Sequence, residues 1–263
     1  MERTDGAAGV ALVTGASAGI GAEFARQLAG RGWRLVLVAR RRARLEELAS
    51  AVGVPCECIG ADLATEDGLR LVEQRLSAGD VELLVNNAGF GTRGVFWEAD
   101  LEGQERMHRL HVMAAMRLCR AALPHLVRNG KGGIINVSSV AAFGRTPGNA
   151  SYCATKAWMN AFTEGLYMEL KVKGVPVRVQ ALCPGFTYTE FHDALGMDRS
   201  LAPGAWWLTA EQVVSESLKG FDEGKLIVIP GARYRLLVWV LKHIPDSWRV
   251  WTSIRHSKRM KRV

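Results

Sequence analysis

Short apolar runs set off by glycine and polar turns recur seven times along this chain, at residues 10–13, 35–39, 54–59, 81–85, 133–139, 175–182 and 225–229. Each is too short for a helix and rich in Val, Ile and Leu, so each reads as a strand buried on both faces. Between them the apolar residues change period. Phe24, Leu28 and Ala29 recur at helical spacing after the first run, residues 44–51 and 65–76 read as further helices, and residues 101–126 read as one long helix broken near Pro124. Strand and helix alternate to the end, which predicts an α/β fold: a mostly parallel sheet with helices on both faces. There is no internal repeat beyond this alternation and no low-complexity linker.

Composition narrows the picture. A chain of 263 residues with 48% hydrophobic content can bury a full core. One domain over residues 1–232 is expected. No apolar run approaches the length of a membrane span, and the start, Met1-Glu2-Arg3-Thr4-Asp5, lacks the basic and apolar regions of a signal peptide, so a cytoplasmic protein is expected. Five cysteines (Cys56, Cys58, Cys119, Cys153, Cys183) lie in apolar surroundings, and Cys56-Glu57-Cys58 alternates like a strand. Buried free thiols are expected, with no metal site.

The net charge of +8 is unevenly placed. Residues 233–263 hold nine Lys/Arg against one acid, Asp246, so the first 232 residues sum to zero. A basic C-terminal extension follows the main domain, and no nucleic-acid binding is expected of the body.

Candidate chemistry begins at the first turn, Thr14-Gly15-Ala16-Ser17-Ala18-Gly19-Ile20-Gly21. Gly15 permits a tight turn, while Gly19 and Gly21 carry no side chain to hold a pyrophosphate away from the following helix N-terminus. The spacing Gly-x-x-x-Gly-x-Gly departs from the usual dinucleotide fingerprint. The second strand ends at Arg40, where an NAD-selective fold would carry an acid for the ribose 2'-hydroxyl. A guanidinium suits a 2'-phosphate, so NADP(H) is favoured over NAD(H), although Arg40 with Arg41, Arg42 and Arg44 also reads as the solvated start of a helix. Asp62 falls where an adenine amino group would lie, and serves equally as an N-cap for residues 65–76.

In Ser151-Tyr152-Cys153-Ala154-Thr155-Lys156 a phenol and an amine stand four residues apart, one helical turn, on a common face. A tyrosine titrates near 10, and a cation about 5 Å away at an effective dielectric of ~20 favours the phenolate by roughly 3 kcal/mol. Thirteen residues upstream, the fifth strand ends in Ser138-Ser139. A strand end that leads by a loop into the next helix brings both positions to one crevice.

Taken together, residues 14–21, Asn86-Asn87-Ala88-Gly89, Ser139, Tyr152 with Lys156, and Pro184-Gly185 with Thr189 resemble the short-chain dehydrogenase/reductase family over residues 10–230. The resemblance implies a Rossmann-type, doubly wound seven-stranded fold and hydride transfer between NADP(H) and a carbonyl or secondary alcohol. It implies that Tyr152 is the acid or base, that Lys156 lowers its pKa and holds the nicotinamide ribose, and that Ser139 hydrogen-bonds the substrate oxygen. Cofactor contacts are implied for Gly15, Ser17, Gly19, Ile20, Gly21, Arg40, Asp62, Leu63, Asn87, Ala88, Gly89, Tyr152, Lys156, Pro184, Gly185, Thr187 and Thr189. One departure stands out: His111 takes the place of the family's helix asparagine, which positions a water behind the lysine through its carbonyl. His111 either keeps that role or is a core histidine satisfied locally.

Residues 188–208 include Phe191, Leu195, Met197, Leu201, Trp206 and Trp207. They suit an apolar acyl, steroid-like or ketone substrate, or they pack on the body or a second subunit. A homodimer or homotetramer is expected. In the extension, residues 236–241 are apolar on every side, Pro245 breaks the chain, and Trp248, Trp251 and Ile254 are mixed with basic residues. This suits peripheral contact with an anionic membrane, or subunit packing. The rival functions are a non-catalytic NADP-binding regulator and a scaffold that uses the basic tail.

Overall fold

The computed structural model describes residues 9–191 and 203–259. Its seven strands are β1 (Val10–Thr14), β2 (Arg34–Ala39), β3 (Cys56–Gly60), β4 (Val81–Asn86), β5 (Gly133–Val137), β6 (Arg178–Leu182) and β7 (Ile227–Val228). They form one sheet in the order β3-β2-β1-β4-β5-β6-β7, and every pairing is parallel. The order reverses between β1 and β4. In a doubly wound sheet that reversal opens a crevice at the carboxyl ends of the strands.

The helices are α1 (Gly19–Gly30), α2 (Arg42–Val52), α3 (Glu66–Ser77), α4 (Leu101–His108), α5 (Ala115–Asn129), α6 (Ala150–Val172), α7 (Ala210–Asp222), α8 (Ala232–His243) and α9 (Asp246–Arg259). The period-two pattern of the strands divides the core. Ala11 and Val13 of β1 with Leu35 and Leu37 of β2 pack against Phe24 of α1, Leu45 of α2 and Val214 of α7. Val10 and Leu12 with Val36 and Val38 pack on the other face against Val72 of α3, Leu118 of α5 and Leu170 of α6. Both faces of the central strands are therefore covered, which is why these strands are apolar throughout rather than alternating.

Three expectations shift. The third, sixth and seventh strands are shorter than their apolar runs, at Cys56–Gly60, Arg178–Leu182 and Ile227–Val228. Pro124 breaks nothing: it lies inside α5, whose Leu118, Cys119, Ala122 and Leu126 are buried. Burial of that face offsets the roughly 3 kcal/mol an interior proline costs. The irregularity of the long helix is instead a π-helical turn at Arg109–Ala114 between α4 and α5, and it carries His111 into the interior. Helix α3 takes its N-cap from Thr65, which accepts from the Gly68 N–H at 3.2 Å, so Asp62 does not cap it.

All five cysteines are free; Cys119, Cys153 and Cys183 are buried, while Cys56 and Cys58 are half-buried. The inner face of α8 belongs to the main core through Tyr234 and Val238. No described helix is long and apolar enough to cross a membrane.

Candidate active site

The glycine turn is bolted to the end of β4. Thr14 Oγ1 accepts from the Asn87 and Ala88 N–H groups at 2.9 and 3.0 Å, and donates to the Val85 carbonyl at 3.2 Å. Asn87 Nδ2 returns a bond to the Thr14 carbonyl at 2.9 Å. Gly15 sits at φ 66°, where a side chain would be strained, and a Cβ there would meet Ala88 Cα at 2.9 Å. Gly21 has a different reason from the one its sequence position suggested. A Cβ there would collide with the Gly15 carbonyl and Asn87, so its bareness lets α1 close on the turn instead of leaving room for a phosphate. Gly19 does face the crevice, with Thr189 across from it at 2.9 Å from such a Cβ.

The N-terminus of α1 suits an anion. Its N-cap, Ala18, has no side chain to accept from the first-turn N–H groups, and no acid occupies that turn. Helix amides left in this state favour a phosphate. Beside them, Arg41 donates to Ser17 Oγ from Nη2 at 3.2 Å and pairs with Glu190 at 2.9 Å. Arg40 is exposed directly after β2, whereas Arg42 and Arg44 pair along α2 with Glu46 and Glu47. The arginine run is thus split, with Arg40 and Arg41 at the crevice and the others on a solvated helix. The donor set fits the phosphates of a dinucleotide: glycine turn, free helix amides and two guanidinium groups. Asp62 accepts from the Ala64 N–H at 3.0 Å and pairs with Arg106, and Leu63 is buried behind it.

At the end of β5, two serines diverge. Ser138 is buried and donates to the Lys156 carbonyl at 2.9 Å. Ser139 points the other way, caps the short turn Val140–Ala142 by accepting from the Ala141 N–H at 3.1 Å, and hydrogen-bonds Tyr152. Lys156 is buried, its Nζ donates to the Val137 carbonyl at 2.9 Å, and it lies 5.8 Å from the Tyr152 ring centroid. Ser139, Tyr152 and Lys156 therefore meet at one point of the crevice.

Their titration corrects one expectation. The lysine was expected to draw the phenol down; instead Tyr152 is pushed up to about 12, first by burial, with the Ser139 hydrogen bond pulling it back and Cys153 adding to the rise. Although part of the residue stays accessible, desolvation at the hydroxyl outweighs a cation that is turned to Val137. Burial also brings Lys156 down to about 8, offset in part by Cys183.

His111 is an interior histidine with both ring nitrogens engaged. It is fully buried, its Nε2 accepts from the Phe90 N–H at 3.2 Å, and its Nδ1 lies 3.0 Å from Thr155 Oγ1. Its ring stands edge-on to Tyr152 at 5.8 Å. Burial holds it well below the ordinary histidine value, with Lys156 and His108 adding to the shift.

The loop after β6 closes the crevice. Gly185 packs directly on the Tyr234 ring, and that hydroxyl accepts from the Phe186 N–H at 2.8 Å and donates to the Trp206 carbonyl at 2.7 Å. Thr187 donates to the Gly185 carbonyl, and Thr189 to the Thr187 carbonyl. The tryptophan pair packs on the body: Trp207 against Phe186 and Tyr188 at 5.3 and 5.0 Å, and Trp206 against Tyr234. Phe191 stands 6.0 Å from Tyr152 and so lines the site, while Leu195, Met197 and Leu201 lie outside the described residues. Thr155 and Tyr234 were not singled out from sequence, and Thr14 and Arg41 were read only as members of the glycine turn and the arginine run, because each acts through a partner distant in the chain.

A parallel doubly wound sheet with an anion-binding turn at its first strand and a Ser-Tyr-Lys cluster beside it has the layout of a dinucleotide-dependent oxidoreductase. A sequence model of the short chain dehydrogenases matches residues 9–200, and the chain belongs to that family. An oxidoreductase of Staphylococcus epidermidis is 35% identical over 184 residues, 68% of this chain and 78% of that protein. A short-chain dehydrogenase from Sphingobium yanoikuyae, solved in complex with NADPH, is 36% identical with a TM-score of 0.80, covering 95% of both chains. A bulky-bulky ketone specific alcohol dehydrogenase from Comamonas testosteroni is 33% identical with a TM-score of 0.77, covering 97% of this chain and 94% of that one. A Burkholderia phymatum member, solved with NAD, is 26% identical with a TM-score of 0.79 over 90% of this chain and 93% of that one.

Proposed function

We propose that the protein is an NADP(H)-dependent reductase that interconverts a carbonyl and a secondary alcohol on an apolar substrate, with Tyr152 as the acid. The observation that carries this reading is the meeting of Ser139, Tyr152 and Lys156 at the carboxyl end of β5, within reach of the anion-binding turn. A phenol pushed up to about 12 is protonated at neutral pH, the state needed to donate to an oxygen on which charge is growing. Ser139 supplies a second donor to the same oxygen. Lys156, brought down to about 8 yet still mostly charged at neutral pH, is placed to stabilise the phenolate once the proton has left.

Gly19, the α1 amides, Arg40 and Arg41 would hold the cofactor's phosphates, Asp62 and Leu63 its adenine, and Pro184, Thr187 and Thr189 its nicotinamide end. The bound cofactor supplies the hydride; the chain orients the carbonyl and manages the proton. The NADPH complex of the Sphingobium relative and the exposed Arg40 support the phosphorylated cofactor, and the bulky-ketone relative and Phe191 beside Tyr152 support an apolar guest.

The test is a panel of aliphatic, aromatic and steroidal ketones followed by absorbance of reduced nicotinamide, with NADPH and NADH in parallel. Turnover of a bulky ketone with NADPH, abolished in Tyr152→Phe while NADPH still quenches protein fluorescence, is expected. Unchanged turnover in that variant overturns the assignment.

A further inference from the structure

We propose that the outer faces of α8 and α9 form a docking surface for an anionic lipid bilayer. Helix α8 is apolar on both its inner and its outer face. Its inner face contributes Tyr234 and Val238 to the core, yet its outer face is apolar: Leu236 is 63% exposed and Trp239 59%. At about 100° per residue, Leu236, Trp239 and Val240 fall within one arc of roughly 100°. Arg233 flanks that arc on one side, and Lys242 and Arg235 flank it on the other.

Helix α9 repeats the arrangement. Trp248 is 68% exposed and Trp251 57%, and they share an arc with Thr252 and Arg255. Ser257, half a turn away from Trp248 around the axis, is buried. Arg255 does not spoil this face, because its guanidinium lies 5.1 Å over the Trp251 ring. A stacked Arg–Trp pair presents an apolar plane and a cation together, a combination matched to the boundary between headgroups and acyl chains.

Charge selects the occupant. Arg235 is committed to Glu216 and Arg249 to Asp246, whereas Arg233, bonded to the Ala205 carbonyl, Lys242, over the Phe143 ring, and Arg255 carry charge that no acid among the described residues neutralises. The sequence adds Lys258, Arg259, Lys261 and Arg262 at the chain's end, and Asp246 is the one acid after residue 232. A contact between two copies of this chain would set these cations against each other, and the buried centres of protein interfaces are depleted in such charge. Phosphatidylserine or phosphatidylglycerol headgroups neutralise them while the three indoles sit at the interface.

Helix α8 is anchored to the body of the protein. Lys242 Nζ lies 5.0 Å from the Phe143 ring centroid, and Leu241 packs beside Gly144, in the loop that follows Ser139.

The test uses the full chain and vesicles of phosphatidylcholine with and without phosphatidylserine, read by co-sedimentation and by the blue shift of tryptophan emission. Binding to the anionic vesicles is expected, weak or lost on neutral ones, and reduced about tenfold or more by high salt or by W248S/W251S. The unfolding midpoint of W248S/W251S should equal that of the wild type, because both indoles are exposed. The proposal is overturned by absent binding to anionic vesicles, or by equal binding of the double variant. It is equally overturned if these tryptophans instead hold a concentration-dependent dimer, or if the chain binds a duplex oligonucleotide but no vesicle.

Discussion

His111 and Thr155 are joined at 3.0 Å, one on the π-helical turn and one on α6, the helix that carries Tyr152 and Lys156. Because His111 Nε2 accepts from Phe90, its proton sits on Nδ1 and is donated to Thr155 Oγ1; that hydroxyl in turn donates to the Tyr152 carbonyl at 2.9 Å. A neutral imidazole thus connects the loop after β4 to the backbone of Tyr152.

Acid should loosen this link. The folded-state value of His111 is depressed, so the unfolded chain binds the extra proton first and stability falls as pH drops below about 6.5. Urea midpoints measured from about pH 7 to about pH 5 should decline more steeply for the wild type than for His111→Asn. Equal slopes would remove His111 as the titrating group.

Gly89 exists for the same histidine. A Cβ at that position would meet His111 Nε2 at 2.7 Å, so Gly89→Ala should displace the ring and lower turnover. In a double-mutant cycle His111→Ala should recover part of the loss, with a coupling of about 1 kcal/mol or more. Strict additivity would mean the alanine acts elsewhere.

At alkaline pH the buried lysine governs. Lys156 is depressed from 10.5 to about 8, so between those values the unfolded chain holds the proton that the folded chain has released, and stability rises with pH. The difference in denaturation free energy between wild type and Lys156→Met should grow across that window, by at most about 3 kcal/mol. A flat difference would show that the ammonium is accommodated without cost.

Arg40 and Arg41 should separate in cofactor kinetics. Arg40 is exposed and pairs with no carboxylate among the described residues, while Arg41 already bonds Ser17 and Glu190. Arg40→Ala should raise the KM for NADPH about ten- to a hundredfold, the worth of a charge-assisted bond to a phosphate, and leave NADH little changed. Arg41→Ala should weaken both cofactors, because it also frees the Glu190 loop. Identical selectivity changes would merge the two roles.

The elements could be read from the chain because the central strands are covered on both sides and carry no alternation to confuse with helix. The boundaries failed where tertiary burial overrode local rules, as at Pro124, which α5 absorbs. The positions of Ser139, Tyr152 and Lys156 were legible, since one strand end and one helical turn set them; the titration of Tyr152 was not. Its sign depends on desolvation of the hydroxyl against the direction of the lysine, and only coordinates reveal that Lys156 turns to Val137. The pairing of Arg41 was not legible, because its partner Glu190 lies 149 residues on.

Tyr234 sits on Gly185 with no room for a methyl group between them, and its hydroxyl clasps Phe186 and Trp206 together. Helix α8 therefore cannot be trimmed or swapped between relatives as a free module. Whatever pulls on the outer helix face is felt by the strand-end loop that borders the crevice, and a chain cut before residue 234 would lose the peg on which that loop hangs.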